Sequence, residues 1–381
     1  MFTGLRVAIV HDWFQGFHGS ERVVAAIAED VFASADVVDI HTFSAADEVI
    51  PPELAARIVS RSRLGALPGL RQRGHAAGRW RGLLPIMPRY FRQLDLSDYD
   101  VVVSSSHSCA IQAQPRPGAA HVCYSHTPMR YAWLGDVDRG RVQGVQGLAL
   151  GALSGWLQRT DYAAAQRVGS FVTVSSAVAE RISRHYGREA TVIHPPVDVD
   201  DFSLSQHRAT GGFLWAHRMV PYKCPLEVAA AFDGLDERLT MVGVGPLHDE
   251  VVAKAPRNVD VHGWLDRERF AEMFEGAGAF IHIGEEDFGI TMVEALASGM
   301  PVIALSRGGA RDIVRDGVDG VLIDEPTPQA LRAAIRTIRE REWDPQALRD
   351  RAETFARDRF VERLSDHVAG LLHTAREPVR L

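Results

Sequence analysis

The chain predicts an α/β protein built as two doubly wound, parallel-sheet domains. Three observations carry that prediction. Short apolar runs recur along the chain, and each leads through a polar or glycine-bearing loop into a segment with helical spacing. That rhythm is the one parallel sheets are made from. The length of 381 residues exceeds one ordinary domain. Near the middle, His194-Pro195-Pro196-Val197-Asp198 carries two prolines, which restrict the backbone and stop regular pairing. We therefore expect domains over 1–194 and 197–355, with residues 356–381 forming a terminal helix.

Composition narrows the classes. Apolar residues make up 46% of the chain, ample for packed cores. Cys109, Cys123 and Cys224 are odd in number and widely spaced, so they form neither a disulfide framework nor a metal pattern. The start, MFTGLRVAIVHDW, runs from one Arg straight into a strand and lacks the features of a secretory leader. No run approaches the roughly 20 apolar residues that span a bilayer. Residues 1–196 carry a net charge of +3 and residues 197–381 carry −10. A basic half beside an acidic half suggests that the first half meets something anionic. Lys223 and Lys254 are the only lysines; every other strong base is Arg.

In the first half, Leu5 to Val10 reads as a buried strand, followed by the loop His11 to Ser20 and a helix opening at Glu21. Gly19 lets the backbone approach a phosphate closely, although the three-glycine dinucleotide spacing is missing. Val37 to Thr42, Asp100 to Ser104, Ala120 to Tyr124, Ser170 to Ser175 and Ala190 to Ile193 read as further strands, with a helix over Ser176 to Tyr186. Two neighbouring strands end in Ser and His, at Ser105-Ser106-His107 and Ser125-His126, which would bring both histidines to one sheet edge. Gly144 to Leu157 is apolar and reads either as a core helix or as a membrane contact.

Residues 54–94 stand apart. They hold nine arginines and no acidic residue, interleaved with Leu, Trp, Tyr and Phe. That composition suits a segment resting on an anionic membrane surface or gripping a lipid-linked phosphate, with Arg71, Arg73, Arg79 and Arg81 at its centre. The alternative is a solvated helical insertion. Nucleic acid is disfavoured by the overall negative charge and the lack of a recognisable module.

The second half reads as strands at Gly212 to Trp215, Leu239 to Val242, Val259 to His262, Ala279 to Ile283, Pro301 to Leu305 and Val321 to Asp324. Two terminal helices are expected at 328–341 and 346–372. Arg218 and Lys223 follow the first of these strands and precede a helix, where two cations can neutralise a diphosphate. Glu286-Asp287-Phe288-Gly289-Ile290 then leads into a helix bearing Glu294. Both carboxylates can face one crevice beside the helix N-terminus, which suits a phosphate.

The run Glu286 to Ile290, with Glu294-Ala295, Gly299 to Ala304 and Gly308-Gly309, resembles the signature of the retaining glycosyltransferases called family four. Tyr124-Ser125-His126-Thr127-Pro128-Met129-Arg130-Tyr131 resembles a sub-group acting in bacterial polysaccharide and O-antigen assembly, often with GDP-mannose. The resemblance implies the GT-B fold, two Rossmann-like domains facing each other across a cleft, with the last helix returning to the first domain. It implies that Arg218 and Lys223 hold the donor diphosphate with the helix N-terminus at Phe288, Gly289 and Ile290. Glu294 would bind ribose hydroxyls, Glu286 the transferred sugar, and His126 the donor sugar on the acceptor side; His107 has weaker support. Gly19 would approach the donor phosphate, although Ser20 stands where the family often has a second glycine.

The expected reaction is transfer of a hexose, mannose from GDP-mannose, with retention onto a hydroxyl of a polyprenyl-diphosphate-linked saccharide. No metal or cofactor is expected. The protein would sit in the cytoplasm, peripherally on the inner face of the membrane. The alternatives are a UDP-glucose or other UDP-sugar enzyme of the same family, a nucleotide-sugar epimerase, and a non-catalytic nucleotide-sugar-binding partner.

Overall fold

The computed structural model describes residues 1–64, 83–133, 145–204 and 211–376. It divides into two compact units, Met1–Pro196 with Phe360–Leu381, and Val197–Arg359.

The first unit holds a seven-stranded sheet: β1 (Arg6–His11), β2 (Val37–Thr42), β3 (Ile58–Arg61), β4 (Val101–Ser106), β5 (Ala120–Ser125), β6 (Ser170–Thr173) and β7 (Ala190–Val192). Their order is β3-β2-β1-β4-β5-β6-β7, with every pair parallel. Val7 to Val10 and Val101 to Val103 are wholly buried, as strands covered on both faces must be. The helix Ser176–Tyr186 shows how local chemistry sets its bounds. Ser175 accepts a hydrogen bond from the Val178 N–H at its start, and Gly187 takes the left-handed conformation at its end. Val178, Ile182 and Tyr186, four residues apart, are its buried stripe.

The second unit holds six parallel strands: β8 (Phe213–Ala216), β9 (Leu239–Val242), β10 (Val259–His262), β11 (Ala279–His282), β12 (Val302–Leu305) and β13 (Gly320–Ile323). Their order is β10-β9-β8-β11-β12-β13. The helix Pro328–Glu340 packs Leu331, Ala334, Ile335 and Ile338 into the core that also buries Phe213 and Trp215.

The structure differs from the sequence reading in two places. Part of 54–94 belongs to the fold: Ile58–Arg61 is an edge strand, and the helix Met87–Arg92 buries Met87 and Phe91. Tyr90 ties the two together, its hydroxyl donating to the Thr42 carbonyl at 2.9 Å and lying 3.0 Å from Ser60 Oγ. The C-terminal region makes three helices, Pro328–Glu340, Pro345–Glu353 and Arg357–Arg376. The break falls where Phe355 and Arg357 exchange backbone hydrogen bonds with Val197, at 3.2 Å each. The last helix buries Phe360, Leu364 and Val368, one stripe at four-residue spacing. Phe360 packs its ring on Tyr124, Arg363 donates to the Val192 carbonyl at 2.7 Å, and His367 lies 2.9 Å from Ser170 Oγ.

Candidate functional site

In an open parallel sheet, ligands sit at the carboxyl ends of the strands where strand order reverses. In the second unit that point lies between β8 and β11. Lys223 lies on the loop after β8, and Glu286 on the loop after β11. The fold brings them together: Lys223 Nζ forms an ion pair with Glu286 Oε1. Lys223 is 4% exposed, so its charge is held away from water against one carboxylate. Cys224, the next residue, takes a left-handed φ of 53° and turns the chain into the helix Pro225–Ala231. A non-glycine residue held there costs about 1 kcal/mol or more.

The acidic loop is shaped by glycine. Gly289 has φ 102° and precedes the helix Ile290–Ala297. Any Cβ at Gly289 would meet Met292 and lie near Glu286 Oε2. A Cβ on Gly308 would strike the Glu286 carbonyl, and one on Gly309 the Phe288 backbone. The Gly309 N–H donates to that same Glu286 carbonyl at 2.9 Å. The glycine turn after β12 therefore clasps the loop after β11. Glu294 is buried in the second turn of the helix, and the helix N-terminus supplies unpaired N–H groups and a positive dipole end.

Two histidines lie behind this pair. The His282 ring is 1% exposed, with Nε2 3.6 Å from Glu286 Oε2, and it meets the His217 ring edge-on at 4.6 Å. Burial, then the Lys223 charge, holds both imidazoles well below their ordinary pKa, so both are neutral. Lys223 thus faces the Glu286 carboxylate beside uncharged rings.

In the first unit the strand order reverses between β1 and β4. Asp12, just after β1, is wholly buried. Its Oδ2 accepts from the His107 and Ser108 N–H groups at 2.7 and 2.9 Å, and its Oδ1 accepts from Cys109 and Ala110 at 2.5 and 2.7 Å. One carboxylate therefore organises the loop after β4. Ser105 lies between two imidazoles, His11 Nδ1 at 3.2 Å and His126 Nε2 at 2.9 Å. The His107 and His126 rings are 6.1 Å apart, so the two strand ends do bring their histidines together. Burial, then His107 and His11, holds His126 well below its ordinary pKa.

Gly19 opens the helix Gly19–Ala26. The neighbouring carboxylate of Glu21 is turned inward, accepting from the His18 N–H at 3.1 Å and from the Ser20 hydroxyl at 3.0 Å. The Glu21 carboxylate thus caps the helix start, and the Ser20 hydroxyl donates to it.

Lys223, Glu286, Phe288, Gly289, Ile290 and Glu294 gather at one sheet edge of the second unit, while Arg218 is exposed on the loop after β8. His126 and Gly19 belong to the first unit. Arg71, Arg73, Arg79 and Arg81 lie outside the described residues. The sequence reading missed Asp12, His11, Ser105, His217 and His282. Only the Ser–His ends of β4 and β5 hinted at the first group. Among the described residues, no cluster of His, Cys, Asp and Glu could hold a metal, and no helix is long and apolar enough to cross a membrane.

Residues 212–359 match the family model for Glycosyl transferases group 1, and residues 17–201 match that for Glycosyltransferase Family 4. A D-inositol 3-phosphate glycosyltransferase of Geodermatophilus obscurus is 32% identical over 221 residues, 49% of each chain. The D-rhamnosyltransferase WbpZ of Pseudomonas aeruginosa is 30% identical over 197 residues, 47% of this chain and 52% of its own. The chain thus spans about half the length of these curated relatives. The structure of Anabaena Alr3699/HepE in complex with UDP superposes with a TM-score of 0.68 at 17% identity, over 97% of this chain and 100% of that one. The chain therefore has the GT-B fold of the group 1 and family 4 glycosyltransferases.

Proposed function

We propose that the protein is a retaining hexosyltransferase that takes its sugar from a nucleotide diphosphate. The observation that carries this reading is the ion pair of buried Lys223 with partly exposed Glu286 at the strand-order reversal, beside the N-terminus of the helix that bears Glu294. Charge develops on the departing diphosphate, and preorganised cations and N–H groups stabilise it there. In this reading Lys223 and Arg218 receive the diphosphate, with the helix N-terminus after Phe288. Glu294 holds ribose hydroxyls, Glu286 the transferred sugar, and His126 the donor sugar toward the acceptor. Gly19 gives the first unit's loop its close approach to the donor phosphate.

Mannose from GDP-mannose is our first choice of donor, supported by the Tyr124 to Tyr131 run. The second is UDP-glucose, favoured by the Anabaena protein's structures with UDP and with UDP-glucose. For the acceptor we propose a polyprenyl-diphosphate-linked saccharide, reached at the cytoplasmic face of an anionic membrane by the arginines between 54 and 94. The test is thermal unfolding against a panel of nucleotide sugars without added metal, since a ligand bound only to the folded state must raise the melting temperature. A shift with GDP-mannose and GDP alone supports the first choice. A shift with UDP sugars alone replaces it with the second.

A further inference from the structure

The hydrogen-bond distances at the ends of β1, β4 and β5 constrain where the imidazole protons sit. His11 Nδ1 lies 3.1 Å from the Ser105 carbonyl oxygen. A carbonyl only accepts, so that nitrogen carries the imidazole proton. The remaining nitrogen, His11 Nε2, is buried without a hydrogen-bond partner among the described residues. A proton there would bury an unpaired N–H, the costlier kind of orphan, so both nitrogens indicate the same tautomer. Burial holds His11 below its ordinary pKa, and it is neutral.

Among the described residues, Ser105 Oγ lies within hydrogen-bond distance of two side chains, at His11 Nδ1 and His126 Nε2. The first already bears a proton and can only donate. The hydroxyl proton finds an acceptor here when His126 Nε2 is bare, which is the arrangement that uses both the donor and the acceptor capacity of Ser105 Oγ. A neutral His126 then carries its own proton on Nδ1.

We propose that Ser105, oriented by His11, is a positioning residue that fixes the tautomer and ring orientation of His126. The catalytic consequence rests on the reading that His126 meets the donor sugar. The polarity of the chain would present a Nδ1–H donor from His126 to a sugar oxygen, whereas a freely rotating imidazole would divide its population between donor and acceptor. A neighbouring pair provides the control. Ser104 Oγ lies 2.8 Å from His121 Nε2, on wholly buried Ser104 and with no role in the proposed site. Successive residues of a strand point to opposite faces, so Ser104 and Ser105 serve different sides of the sheet.

The experiment is imidazole nitrogen NMR on histidine-labelled full-length protein, with steady-state kinetics on the same variants. Wild type should show the proton on Nδ1 in both His11 and His126. Ser105→Ala should give His126 mixed or Nε2-protonated tautomers and lower kcat roughly tenfold, with little change in donor KM, the scale expected for an outer-shell partner. Ser105→Thr, which keeps the hydroxyl, should restore the Nδ1 tautomer and most of kcat. Ser104→Ala should leave the His126 signal and kcat as they are. A His126 proton on Nε2 in wild type, or an unchanged His126 signal in Ser105→Ala, overturns the proposal. The spectra need no substrate, so they stand apart from the donor reading. That reading fails instead if His126→Ala turns over like wild type.

Discussion

The two sheet edges at which strand order reverses use opposite strategies. In the second unit the edge is assembled from a continuous stretch, Glu286 to Gly309, and reaches outside it for Lys223. Its key interaction is an ion pair whose carboxylate remains partly exposed. In the first unit the edge is assembled from three separate strands, and its charged residue, Asp12, accepts from four backbone N–H groups and lies 3.4 Å from His107 Nδ1. One edge leaves a charged group partly exposed, and the other uses charge to hold a scaffold beneath the neutral His11 and His126. A catalytic edge should therefore lose turnover before stability, and a scaffold edge the reverse.

Removing the Asp12 carboxylate is the most severe way to probe that contrast. Asp12→Ala leaves four N–H groups, three of them buried, without this acceptor and should destabilise the protein by about 3 kcal/mol or more, measured by denaturant unfolding. A loss below about 1 kcal/mol would mean that the loop after β4 holds itself.

Lys223→Ala should lower turnover at least tenfold, on the order of one lost transition-state contact. Wild-type kcat in this variant would remove Lys223 from the diphosphate site. Glu294→Ala should weaken donor binding by about tenfold, roughly the worth of a hydrogen bond to a charged group. Calorimetric titration reads this directly, and an unchanged affinity removes the ribose role.

The smallest effect concerns pH. Asp161 is wholly buried in the first unit, accepting from the Trp133 indole N–H at 2.7 Å and the Tyr186 hydroxyl at 2.6 Å. Burial pushes its pKa from 3.8 up to about 7. The folded protein then keeps a proton that the unfolded chain has lost, so stability falls as pH rises between those values and levels off above about 7. Asp161→Asn should flatten that slope in melting temperatures taken across the range. An identical slope in the variant would assign it to other groups.

How much of this was legible in the sequence follows the same division. β2, β9 and β10 and the helix Ser176–Tyr186 fall where their apolar runs and caps put them. The Glu286 to Gly309 edge was readable because its residues are close in sequence and its glycines are required by backbone contacts. β3 was hidden because it is an edge strand with half-exposed residues inside an arginine-rich run. The His11–Ser105 and Asp12–Ala110 contacts join residues 94 and 98 apart, and no local pattern announces them. His282 and His217 looked like ordinary strand-end residues, and only the parallel packing of β8 against β11 brings their rings together.

The central claim is that the second unit's edge holds a nucleotide-diphosphate sugar through Lys223 and Glu294. Calorimetric titration of nucleotide sugars into wild type, Lys223→Ala and Glu294→Ala tests it most directly. We predict saturable binding of one donor class to wild type and weakened binding in both variants. Equal affinity in all three proteins would contradict the account, as would the absence of binding by any nucleotide sugar.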